Sequence, residues 1–469
     1  MEAAQSAHFA LACVSLMSTA NSTATDLKVN ISNRQILSIA LPISFAIFVP
    51  QVNFVTNNVF LGGLGEDSLA AAGITGVYYL IFAVIGYGLN NGLQALISRR
   101  AGQDKVEEIG KLFAQGVFLS LTFAAFGILL TYLVATPVLQ RSLHSPELTQ
   151  KAVSFLHIRI WGLPFLYLYQ MRNALLVGTN QSKYLVWGTL AETLGNIFFD
   201  YGLIYGKFGM PEIGFNGAAY ASIIAEFLGM FVVFAVIQWK GISKQLGLAR
   251  HFRWNKENAR LVLVQSSPLI FQYAISIISW EFFYILIEHH GKRDLAISNT
   301  MRNIFGLFGV FTWAFASTSN TMVSNIIGQG MKERVEELIG KIVKLSLSIS
   351  ILLCIFLNLF PALFLSFYGQ GEEFVRAAVP VIRIISLALL LMSFATIWLN
   401  GVTGTGNTKV NLVIEIVAIV AYTIYAYVVL EVMKLPITYG WMSEWLYWII
   451  LFSLSYAYIR SGKWKKKEI

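Results

Sequence analysis

Stretches of twenty or more mostly apolar residues recur along nearly the whole chain, separated by short clusters of charge. That is the spacing a bilayer imposes, since roughly 20 apolar residues in a helix cross about 30 Å of hydrocarbon. Inside lipid every backbone N–H and C=O must find a partner within the structure, which leaves helices and closed barrels. A barrel reads as alternating segments of about ten residues, and this chain has no such alternation. Its charged content is 13% and its mean hydropathy +0.63, against about 25% charged residues in an average soluble chain. The fold class expected is an all-α membrane protein.

Apolar runs between charged or Gly/Pro breaks give twelve spans, near 34–60, 68–97, 109–136, 148–177, 183–206, 216–239, 260–287, 295–325, 339–365, 374–402, 408–430 and 437–459. Domains follow from them. Residues 1–30 are read as a disordered tail, 31–239 as a first six-span lobe and 240–259 as a basic cytoplasmic connector. Residues 260–460 form a second lobe and 461–469 a basic tail. The early run "HFALACVSLMSTA" is too short to span and lacks the basic flank of a signal peptide, although a cleaved signal is the alternative. Lysine and arginine number 22 in the termini and alternate loops against 7 in the opposite loops. By the positive-inside rule both termini are cytoplasmic. The net charge of +9 is thus a record of orientation and of headgroup contact, with no nucleic-acid partner expected. Cys13 and Cys354 are too far apart in sequence to suggest a disulfide framework or a metal motif.

A shift of 226 residues brings the two halves into register. Pro42 falls on Pro268, Phe45 on Phe271, Gly65 on Gly291, Gly102-Gln103 on Gly328-Gln329, and "GTNQSK" (178–183) on "GTGNTK" (404–409). Six spans separate equivalent points, so the copies share one orientation and are parallel repeats about an axis along the membrane normal. Two such halves suit alternating access better than a channel or a membrane enzyme.

The order and spacing of "FLGGLGEDSLAAAG" (60–73), "ISRRAGQDK" (97–105), "LLVGTNQSK" (175–183), "NIFFDYGLIYG" (196–206) and "GFNGAAYASI" (214–223) resemble the multidrug and toxic compound extrusion (MATE) transporters over roughly residues 34–460. The resemblance implies a V of two six-helix lobes in the cell membrane, a bacterial inner membrane being the expected setting. It implies a monomer that exports cationic or amphiphilic organic compounds in exchange for protons or sodium ions, with no other cofactor.

Ionisable groups inside a membrane are expensive and therefore functional candidates. Glu192, Asn196 and Asp200 share one face of the fifth span at i, i+4, i+8, as do Ser222 and Glu226 on the sixth and Asn53 and Asn57 on the first. By depth, Asn57, Asp200 and Ser222 fall in the outer half of the first lobe. The family resemblance assigns "N-x-x-x-D" on the fifth helix to a cation site, matched by Asn196 and Asp200, and places an aspartate where this chain has Asn57. That departure removes one charge and one titratable group. Asp200 then titrates alone, or holds sodium with neutral oxygens, or the lobe is silent and the second lobe couples. In the second lobe the resemblance points to Glu281 on the seventh helix. Glu415 has no family counterpart, and pairing of Glu281 or Glu415 with Arg302 or Arg383 is the structural alternative. Glu226, Trp280, Tyr273, Trp313 and Trp398 are candidates for the substrate cavity, where aromatic faces stack on cations. For any one ring the plainer role is contact with lipid or its interface.

The expected function is therefore antiport of drug-like compounds against one proton or sodium ion. Within the same superfamily, a flippase of lipid-linked saccharides is the alternative. It would use arginines such as Arg159, Arg172, Arg302 and Arg383 against phosphate. An enzyme would need a clustered His/Asp or Ser/His set, and His289-His290 beside Glu288 offers no such spacing.

Overall fold

The computed structural model describes residues 27–143, 145–366 and 371–467, apart from the side chains of residues 52–55, 58, 66, 69 and 366. Among these residues there is no strand. The long helices of the first repeat are α1 (Asn33–Gly62), α2 (Glu66–Gly102), α3 (Val106–Ser142), α4 (Pro146–Gly178, with one 3-10 turn at Ile160–Gly162), α5 (Leu185–Tyr205) and α6 (Phe215–Trp239). Those of the second are α7 (Lys256–Glu288), α8 (Lys292–Gly328), α9 (Val335–Leu359), α10 (Glu372–Gly404), α11 (Thr408–Tyr427, prolonged by a π turn at Val428–Val432) and α12 (Ser443–Arg460). Adding 226 to both ends of α2 gives both ends of α8, and the same shift carries α4 onto α10.

Among the described residues, nine helices are long and apolar enough to cross a membrane. The nine leave out α5, α8 and α12. Each of these carries polar groups that face protein: Asn196 and Asp200 on α5, a ladder of Ser, Thr and Asn on α8, and Glu444 on α12 are all buried. Outward faces elsewhere present large apolar side chains, Leu133, Leu352 and Val432 among them.

Local chemistry sets the helix ends. Ser32 caps α1 through the Gln35 amide at 3.2 Å, and Asn255 caps α7 through that of Asn258 at 2.9 Å. Pro42 and Pro50 interrupt α1, and Pro268 interrupts α7 at the repeat position of Pro42. Gly65 (φ +99°) and Gly291 (φ +109°) turn the chain between the first two helices of each repeat, in a backbone conformation that only glycine adopts freely. The connector is not loose. The Gln115 amide on α3 donates to Arg253 O at 2.7 Å and accepts from Asn255 N at 3.0 Å. Residues 27–30, expected in the tail, are also ordered: Leu27 and Val29 are buried, and their carbonyls accept from Asn325 and Gln329 at 2.9 Å each. Residues 1–26 lie outside the described part of the chain.

The two repeats meet along α2, which packs against both α7 and α8, and the α2–α8 contact is reciprocal. Gln94 Nε2 donates to Ser317 O at 3.1 Å, and its repeat counterpart Asn320 Nδ2 donates to Asn91 O at 3.2 Å. One turn on, Ser98 Oγ donates to Thr321 O at 2.7 Å and Ser324 Oγ to Ala95 O at 2.6 Å. A further turn on, a Cβ on Gly102 would lie 2.1 Å from Asn325 O, and one on Gly328 2.3 Å from Arg99 O. Each contact becomes its partner when 226 is added to one residue and subtracted from the other. Helices at such a crossing approach backbone to backbone, which only small residues allow. Buried Arg99 closes the seam, donating to Ser324 O and Gly404 O at 3.0 Å each. These bonds all lie between the level of Asn91, whose amide donates to Tyr273 OH at 2.6 Å, and the ends of α2 and α8 at Gly102 and Gly328.

Candidate functional site

Two sets of contacts fix the height of α5 against its neighbours. Against α1, Ser182 Oγ donates to Ile39 O at 3.3 Å and Tyr205 OH to Phe60 O at 2.6 Å. The offset of 143 to 145 residues puts Asn57 level with residues 200–202. Against antiparallel α6, Gly188 meets Val233 and Gly217 meets Ile204, so paired residue numbers sum to 421 and Asp200 stands level with residue 221, beside Ser222. By these offsets Asn57, Asp200 and Ser222 lie at about one height on α1, α5 and α6.

Asp200 is fully buried and Asn196 is 2% exposed. Neither Asp200 oxygen has a hydrogen-bond partner among the described residues, nor do Asn196 Nδ2, Asn196 Oδ1 and Asn57 Oδ1. Buried polar atoms are paired in the great majority of native structures, and an unpaired buried carboxylate costs several kcal/mol. The four oxygens among these five atoms, two of Asp200 and one each of Asn196 and Asn57, are acceptors of the kind that a proton or a small cation with oxygen ligands would satisfy. Ser222 is half-buried at the same height. Asn53 and Asn58 have side chains outside the described set.

Glu226 is engaged. Arg159 grips it with two bonds, Nη2 to Oε1 at 2.5 Å and Nη1 to Oε2 at 2.9 Å, with Tyr79 OH donating to Oε1 at 3.2 Å. The guanidinium lies 3.8 Å from the centre of the Tyr79 ring. Both side chains are largely buried, at 13% and 7% exposure. This is a structural clamp between α4 and α6, so Glu226 is no free cavity carboxylate. Removing one partner of a buried pair strands the other at a cost of about 3–5 kcal/mol. Glu226→Gln is therefore expected to lower the thermal unfolding midpoint in detergent clearly, and an unchanged midpoint would remove the clamp reading.

The candidates of the second repeat are not brought to Asp200. Glu281 sits exposed on α7 between Ile278 and Ile285, with no ion pair among the described residues. The alternative pairing of Glu281 or Glu415 with Arg302 or Arg383 does not occur among the described residues. Glu415 is held instead by neutral donors, and Arg302 lies over the Tyr284 ring at 4.9 Å. Tyr273 belongs to the contact between repeats, hydrogen-bonded to Asn91 and 6.5 Å from the Tyr87 ring. Trp280 donates to Glu444 at 3.3 Å. Trp398 is packed edge-on against Tyr456 at 4.9 Å and is buried, whereas Trp313 is 38% exposed. Glu444 is buried at the start of α12; its one signal in the sequence is a lone carboxylate inside "WMSEWLYW".

The arginines do not converge as a phosphate-binding cavity would require. Arg159 is committed to Glu226, Arg172 donates to Met230 O at 2.8 Å, and Arg383 is exposed. His289 and His290 pin the turn after α7, to Glu431 and to Leu430 O at 2.9 Å each. The Glu431 hydrogen bond raises the His289 imidazole above its ordinary range. Among the described residues, no three His, Cys, Asp or Glu side chains gather where they could hold a metal ion.

Comparison with known proteins adds the lineage. The MatE family model matches residues 42–202 and again 268–428, two matches separated by the same 226 residues. A "Probable multidrug resistance protein NorM" of Thermotoga maritima is 22% identical over 447 residues, covering 93% of this chain and 94% of its own length. Another of that name from Synechocystis is 28% identical over 207 residues, 44% of each chain. Among solved structures, a MATE protein in complex with MaL6 superposes with a TM-score of 0.86 at 18% identity, over 95% of this chain and all of its own. An outward-facing multidrug resistance MATE transporter gives 0.85 at 17%, over the same shares. At such identities the superpositions establish a shared fold, and the doubled family match establishes descent. The chain belongs to the MATE family and is a multi-pass membrane transporter of small molecules rather than an enzyme.

Proposed function

We propose that the chain is a twelve-span, two-lobed exporter that exchanges cationic or amphiphilic organic compounds for one proton or sodium ion, with both termini in the cytoplasm. The observation that carries the reading is the fully buried Asp200 carboxylate, without a partner among the described residues, at the level of Asn57 and beside Asn196. Such a group gains most from a cation that arrives and leaves. The likeness to multidrug resistance relatives supports the substrate class. The closed seam at the Gly102 and Gly328 ends, together with the likeness to an outward-facing transporter, supports an outward-open state here. A charge moved down 100 mV is worth about 2.3 kcal/mol, and about 1.4 kcal/mol is tenfold in concentration. One ion thus sustains a useful gradient without nucleotide.

The test is dye efflux from vesicles with the proton and sodium gradients collapsed separately. Loss of efflux with one of them identifies the coupling ion, and efflux indifferent to both refutes antiport. Asn57 supplies a second check. Asn57→Asp restores a second carboxylate at the level of Asp200, where close like charges raise one pKa. It is expected to shift the pH or sodium dependence of transport, whereas Asn58→Asp is not. Equal behaviour of the two would break the assignment of Asn57. A flippase reading has less support, because Arg159 and Arg172 are engaged within the first repeat by Glu226 and Met230 O.

A further inference from the structure

The second repeat does not copy the site of the first. Adding 226 to Asn57, Asn196, Asp200 and Ser222 gives Phe283, Tyr422, Ala426 and Trp448, none of them a carboxylate or an amide. It carries a different polar set in its place, on α7, α11 and α12. Glu415 is 1% exposed and accepts from Gln272 Nε2 at 3.2 Å, from Ser276 Oγ at 2.7 Å and from Tyr447 OH. Asn411, one turn before Glu415 on the same face of α11, donates to Gln272 Oε1, so one glutamine amide links both side chains. The counterparts of this set in the first repeat are Thr189, Ala46, Pro50, Ala221 and Leu185.

Two features of the set are unresolved by the protein itself. The charge of Glu415 meets no Lys, Arg or His within ion-pair distance among the described residues; the ionisable side chains that face it are Tyr273 and Tyr447, with Glu444 beyond Tyr447. Asn411 is 2% exposed, and its Oδ1 has no partner among the described residues. The geometry points to a second cation site in which Glu415, Asn411 Oδ1, Ser276 Oγ and Tyr447 OH hold a sodium ion. Several oxygens around one carboxylate are the donor set of a hard monovalent cation. Calcium sites use more oxygen ligands, typically from several carboxylates. A proton would neutralise Glu415 but leave Asn411 Oδ1 as it is, whereas an alkali ion takes both. The hydroxyls of Ser276 and Tyr447 serve either state, since each rotates from donor to ligand. The site is separate from Asp200 and does not rest on the reading of that residue.

The experiment measures binding of radiolabelled sodium to the full chain in lipid nanodiscs, with choline holding the ionic strength. The background is Asp200→Asn, so that the first repeat contributes nothing. Saturable sodium binding is expected to persist in Asp200→Asn and to weaken at least tenfold in Asp200→Asn/Glu415→Gln. Asn411→Leu in the same background, which removes Oδ1 and keeps an apolar side chain of similar size, is expected to weaken it by about tenfold and guards against misfolding of the glutamate variant. No saturable binding in Asp200→Asn, or binding that survives both further substitutions, overturns the proposal. Failure of the Asp200 reading shows separately, as transport retained by Asp200→Asn.

Discussion

Asp200→Asn is expected to be a transporter that folds at least as well as the parent and does not couple. The amide has nearly the shape of the carboxylate, so packing against α1 and α6 is kept. What changes is the charge. A buried ionised carboxylate without a partner costs several kcal/mol, and a neutral amide costs less. The substitution should therefore leave the thermal unfolding midpoint unchanged or raised, while gradient-driven efflux falls at least tenfold. That combination, stability kept or gained and function lost, marks a group retained for work at the expense of the fold. Normal transport by this variant would sink the assignment. A lowered midpoint would show instead that Asp200 is a structural acceptor.

The second large effect is expected at the seam between the repeats. Gly102 and Gly328 face backbone carbonyls of the opposite helix at distances that no Cβ tolerates. A leucine at either position cannot be absorbed by rotating a side chain, because the obstacle is main chain. Overpacking of this kind costs about 1–3 kcal/mol, or roughly five- to 150-fold against the closed arrangement. Gly102→Leu and Gly328→Leu should each expose cysteines placed on the inner side to a membrane-impermeant thiol reagent, and should each depress transport. Because the two contacts are images of one another, the two variants should agree within a factor of about three. An effect confined to one of them would mean that the reciprocity carries no mechanical weight.

Much of the frame is legible in the sequence. The length of the apolar runs gives helices, and the constant shift of 226 fixes parallel repeats before any coordinates are known. Helical spacing also places Asn196 and Asp200 on one face. What spacing cannot supply is the identity of the helix opposite. Arg159 and Glu226 lie 67 residues apart and become one clamp only when α4 meets α6. In a membrane the outside of the protein is as apolar as its inside, so hydropathy does not separate Trp398, which is packed, from Trp313, which is 38% exposed. Glu281 meets the same limit: its place on α7 is readable, the exposure of that face is not. The three helices that fall short of a membrane-crossing composition carry polar groups sheltered by neighbours, and that shelter is a property of packing that no window of sequence contains.

The rungs of the seam have a consequence for water. The side-chain donors of Gln94, Ser98, Asn320 and Ser324 meet carbonyls of the opposite repeat in the closed state. If the repeats part, as the proposed alternating access requires, those donors and carbonyls cannot be left dry, and each must be hydrated. The opened cleft would then be lined by the stripe that had sealed it, and wet along its length. An amphiphilic solute passing there would meet a hydrated wall with amide and hydroxyl groups at regular 5–6 Å steps. The residues that shut the path on one half of the cycle would thus make it passable on the other.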